Sequence, residues 1–199
     1  MTNTRSRIGA PEWLILIGAV VFVVILVISA VFEADIRWLH FFQAWMYIAT
    51  IVLSVHGSRW GYFIGVSAAG LWDYANLVAT TFFFNGLQEL ARWVHTGHLA
   101  RPDLLIAVPA WLANLSVIIG CLWAYTRLPA KMTSDFLKAA IAFALTTGFF
   151  AADMALFQPR YLEIFHECYI PIFADQPHPT VRAPYREAVY CGVCGVLLD

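Results

Sequence analysis

The chain has 199 residues, 61% hydrophobic and 13% charged, with a formal net charge of −1 and a mean hydropathy of +0.70. Soluble domains run at about 45–50% apolar and about 25% charged, so this composition excludes an ordinary water-soluble fold. The near-neutral balance also gives a nucleic-acid partner no electrostatic footprint.

Five apolar runs predict an all-α, polytopic membrane helix bundle of about five spans, near residues 13–32, 38–55, 60–84, 104–125 and 136–157. Each approaches the roughly 20 apolar residues that a bilayer-crossing helix needs. Residues 1–158 then form the bundle, and 159–199 form an irregular tail interrupted by Pro171, Pro177, Pro179 and Pro184.

The first run holds no polar residue except Ser29. Its apolar stretch is longer than a signal-peptide core, so it is expected to stay as an uncleaved outer helix. The third run carries small residues every four positions, Gly61, Gly65 and Ala69. Such a strip lets another helix approach closely, and it offers a contact surface to a second copy.

Asp73 follows on the same side of the third run, with Asn76 and Thr80 after it and Trp72 and Tyr74 beside it. A carboxylate at membrane depth costs several kcal/mol or more and is by default a functional candidate. The alternative is interhelical glue, a hydrogen bond to Asn114 of the fourth run or to a Tyr hydroxyl. Between the third and fourth runs, 85–94 is more polar yet still helical in spacing, with Glu89 three residues before Arg92. Pro109 is expected to free a backbone carbonyl early in the fourth run, and Thr133, Ser134 and Asp135 offer caps for the fifth. Asp153, near the end of the fifth run, is expected to snorkel or to find a partner in the interfacial layer.

Lys and Arg in short loops set orientation. With the N-terminus cytoplasmic, Arg5, Arg7, Arg59, Arg127, Lys131 and Lys138 lie inside, against Arg37, Arg92 and Arg101 outside. The tail is then extracytoplasmic. This topology gathers His40, His95, His98, His166, Cys168, Cys191 and Cys194 on the outer side. Imidazole and thiolate suit zinc, copper or haem iron, and His40 with His95 or His98 could form a bis-histidine haem site. Oxidised cysteines or ordinary loop residues are the competing account.

Three functions follow as expectations. The first is binding or transport of a small solute or proton at a mid-membrane polar site of Asp73, Asn76, Thr80, Asn114, Trp72 and Tyr74. The second is a metal- or haem-dependent redox enzyme or subunit. The third is an accessory subunit of a larger membrane complex. The bilayer is the expected partner in all three, with a homo-oligomer or larger assembly beside it.

Overall fold

The structure, a computed structural model, describes residues 8–159; His166, Cys168, Cys191, Cys194 and the prolines of the tail lie outside them. Among the described residues it is all-helical. Helix α1 spans Ala10–Phe32 and α2 spans Arg37–Val55. A short 3-10 turn, Ala34–Ile36, joins them. Helix α3 spans Arg59–Tyr74, α4 Phe82–Thr96, α5 Pro102–Leu105, α6 Ala107–Thr126 and α7 Ser134–Phe157.

Four segments are long and apolar enough to cross a membrane: Ala10–Phe32, Ala34–Val55, Pro102–Thr126 and Ser134–Phe157. They match four of the five expected spans within a few residues. The third, expected over 60–84, is not one continuous helix. Helix α3 has 16 residues, about 24 Å at 1.5 Å per residue, against a hydrocarbon core of about 30 Å. A π-helical segment, Ala75–Ala79, follows it, in which the Thr80 amide donates to the Ala75 carbonyl five residues back at 2.9 Å. Thr81 then turns left-handed at φ 52° and α4 starts afresh. Hydropathy averaged across the Phe-rich stretch carries no mark of this interruption.

Helix α3 is the centre of the bundle, packed against α2, α6 and α7, while α1 packs against α6 and α2. Its small residues explain why. A Cβ added at Gly61 would stand 2.6 Å from the Ser54 amide of α2. One at Gly65 would stand 2.7 Å from both Thr50 Cγ2 and Cys121 Sγ. The strip is therefore consumed within the chain, and the expected contact with a second copy through Gly61 and Gly65 is corrected accordingly. Cys121 is a buried free thiol in this contact. The core combines Ile15, Ala19, Phe22, Tyr47, Val117 and Phe150. Outside it, α1 exposes Val20, Val24, Val27 and Val31, a face that suits lipid rather than water.

The two ends of the bundle differ. At one end the α2–α3 turn meets the α6–α7 connection. There Asp135 Oδ2 accepts from Arg59 Nη1, from the Met132 amide at 2.9 Å and from the Tyr125 hydroxyl at 3.3 Å. Lys138 Nζ stands 3.5 Å from Asp135 Oδ1. Helix α7 begins as expected, yet Thr133 makes no side-chain cap bond; Asp135 ties the connection down instead.

The other end carries α4 and α5. Gly86 is where α4 meets Leu104 and Ala107. The helix preceding α6 breaks at Ile106, three residues before Pro109; the proline ring excludes a regular turn onto the carbonyl four residues back. Helix α4 stops at Gly97, which adopts φ 67° and donates to the Trp93 carbonyl.

Candidate functional site

A cavity of about 800 Å³ opens at the α4 end, bounded by α1, α2, the α3–α4 interruption, α5 and α7. That volume suits a small organic ligand. Its depth is apolar, with Leu26, Leu71, Trp72 and Phe150 on the walls, and its mouth is charged, with Glu33, Glu89, Arg92, Arg101 and Asp103.

The charged mouth is built from local pairs. Glu89 is buried although it sits on an otherwise amphipathic helix. Its Oε1 accepts from the Ala100 and Arg101 amides at 2.7 and 2.9 Å, and its Oε2 from Arg92 Nη1 at 2.7 Å. The loop after α4 is thus pinned to α4 by one carboxylate. The Arg101 amide foremost, with that of Ala100 and the Arg92 guanidinium, holds Glu89 below the usual carboxylate range. Arg101 Nη2 pairs with Asp103 Oδ2 at 2.8 Å.

The expected polar set divides into two layers. Trp72, Tyr74, Asn76 and Thr80 line the cavity. Asn76 Nδ2 donates to the Trp72 carbonyl at 2.8 Å, and the Thr80 hydroxyl to the Ala75 carbonyl at 3.3 Å. Both side chains thereby stabilise the π-helical interruption. Asp73 and Asn114 are buried and lie one layer deeper, off the cavity wall. The Tyr47 hydroxyl donates to Asn114 Oδ1 at 2.7 Å, and Asp73 interacts with both Asn114 and Tyr47. Asp73 Oδ1 and Asn114 Nδ2 have no hydrogen-bond partner. Phe22 roofs this cluster, 4.4 Å from the Tyr47 ring and 4.9 Å edge-on to Trp72, centroid to centroid.

Helix α2 contributes a seam that the first reading passed over. Gln43, Tyr47, Thr50 and Ser54 are all buried and recur every three or four residues, the spacing of one helix face. Gln43 and His40 line the cavity, and Gln43 Oε1 and His40 Nδ1 are buried without partners. Asp153 is buried as well, and neither of its carboxylate oxygens has a partner. It does not snorkel, and the expectation of a partner in the interfacial layer is not met among the described residues.

Of the proposed metal ligands, His40 sits on the cavity wall, while His95 and His98 are exposed at the end of α4. Among the described residues no three His, Cys, Asp or Glu side chains converge in a metal-binding arrangement. His166, Cys168, Cys191 and Cys194 lie outside them. Comparison of the chain with protein-family models, with curated proteins and with solved structures returns no match.

Proposed function

We propose that this protein is a membrane helix bundle that binds a small solute in the cavity at its α4 end and passes it across the bilayer, with Asp73 as the polar anchor beneath the cavity floor. The observation that carries this reading is the cavity itself, about 800 Å³, ending against buried polar atoms that have no hydrogen-bond partner. Inside a bilayer such atoms cost free energy, and a bound solute is the natural means of satisfying them.

The interrupted helix supports the same reading. Non-helical backbone at membrane depth is tolerated where it lines a cavity, and π-helical turns recur at functional positions. Helix α3 with its π-helical extension would then be a fifth, broken crossing. Arg59, Arg127, Lys131 and Lys138 fall at the end opposite the cavity, which favours a cytoplasmic N-terminus and a cavity mouth on the extracytoplasmic side.

Binding is tested with 1-aminoanthracene, a small dye that fluoresces in apolar surroundings, added to the full chain in lipid nanodiscs. Saturable fluorescence removed by Ala110→Trp, which fills the cavity wall, is the expected result. Signal equal to that of empty nanodiscs overturns the reading. Asp73→Asn should weaken dye binding several-fold while the helical circular dichroism is retained.

A further inference from the structure

The charge and hydrogen-bonding character of the cavity is lopsided, and this bears on what it holds. At its mouth two guanidinium groups face three carboxylates. Arg92 is paired with Glu89 and Arg101 with Asp103, which leaves Glu33 without a cationic partner among the described residues. Behind the walls lie Asp73 and Asp153, both buried and neither ion-paired among the described residues.

The unpartnered atoms point the same way. Gln43 is only 4% exposed, lines the cavity and leaves Oε1 without a donor. Asp73 Oδ1 and both oxygens of Asp153 lack donors too. The one obligate donor among these orphaned atoms is Asn114 Nδ2. A region rich in unused acceptors and poor in donors favours a ligand that brings positive charge or N–H groups of its own.

The remaining walls suit the body of such a ligand. Trp72, Tyr74 and Phe150 present aromatic surface to the cavity, and aromatic faces attract alkylammonium groups. The volume far exceeds what a bare ion needs, and no three metal-ligating side chains converge among the described residues. We infer that the cavity takes a small organic cation, an ammonium head on an apolar body, with its charge directed toward the Gln43, Asp73 and Asp153 side. This rests on the cavity being a binding site, as proposed above, and adds the chemical class of its occupant.

The test is competition against 1-aminoanthracene on the full chain in nanodiscs. Three competitors of similar size are compared: phenyltrimethylammonium, its uncharged isostere tert-butylbenzene, and benzenesulfonate. The cation should displace the dye at a concentration at least about tenfold lower than its neutral isostere, and benzenesulfonate should not displace it. Asp153→Asn and Gln43→Met should each narrow the gap between cation and isostere. Because the native chain alone supplies the main comparison, a variant that fails to fold leaves the result intact. If the dye binds but the isostere or the sulfonate competes as well as the cation, the cation inference falls and the cavity reading stands. If the dye shows no saturable binding, both fall.

Discussion

The two ends of this bundle treat the same side chain in opposite ways. Asp135 has a guanidinium, a backbone amide, a phenol and an ammonium around it. Asp73 has a crowded apolar roof and one oxygen without a donor, and Asp153 has two such oxygens. A carboxylate saturated by its own chain has nothing left to offer and acts as a latch. One left unsaturated at membrane depth is expensive to keep, and it retains capacity for something the chain does not itself supply. The latched end closes the bundle around the α6–α7 connection; the unsaturated end opens into the cavity.

Removing the latch is expected to have the largest effect on stability. Asp135→Ala strips four partners at once and leaves Arg59 without its carboxylate, so the thermal midpoint in detergent should drop more than for any substitution at the α4 end. A variant that melts like the native chain would erase the distinction between the ends. Next comes Tyr47→Phe, which deletes the bond to Asn114. Such buried bonds between membrane helices are worth about 0.6–2 kcal/mol, to be read as a lower unfolding midpoint with dye binding altered in parallel. A change in stability alone would make the Tyr47–Asn114 pair simple glue.

The third expectation has the opposite sign. Thr81 is β-branched and sits at φ 52°, a conformation that costs such a residue about 1–3 kcal/mol. Thr81→Gly relieves that strain at some cost in unfolded-chain entropy, so a gain of up to about 1 kcal/mol is expected in a melting experiment. A loss would mean that the Thr81 side chain holds α4 in place by packing.

The smallest effect concerns pH. Glu89 is held below the ordinary carboxylate range, so its contribution is complete above that range, near pH 4–5, by about the model-peptide value, and is lost as pH falls through the lower folded value. Hydrogen-exchange protection at Ala100 and Arg101, corrected for intrinsic rates, should fall on acidification below about pH 4. In Glu89→Gln it should start lower and stay flat.

Much of this architecture is legible in the amino-acid pattern because it follows from hydropathy and spacing alone. The helices around Ala19, Tyr47, Val117 and Thr146 lie where apolar length puts them, and the burial of Asp73 follows from its place in an apolar run. What escaped depends on geometry that one-dimensional patterns do not carry. The halt after Tyr74 needs the side chains of Asn76 and Thr80 to bond backward onto the main chain, and either residue can sit in an unbroken helix. Glu89 reads as half of an exposed pair with Arg92 until the loop folds back and presents two amides to it. The seam of Gln43, Tyr47, Thr50 and Ser54 was available by its spacing, but the weakly polar residues within an aromatic run drew less notice than a lone carboxylate.

The π-helical segment before α4 has a further consequence. It accommodates one residue more than a regular turn would, so it sets the angular phase of everything after it. Deleting one residue from 75–79 would restore an ordinary helix and rotate the downstream chain by about 100°. Glu89 would swing away from the amides it now grips, and the wall of the cavity would be dismantled with no change in composition elsewhere. The identity of the pocket thus resides partly in a count of residues, which makes this short stretch far less tolerant of insertion and deletion than of substitution.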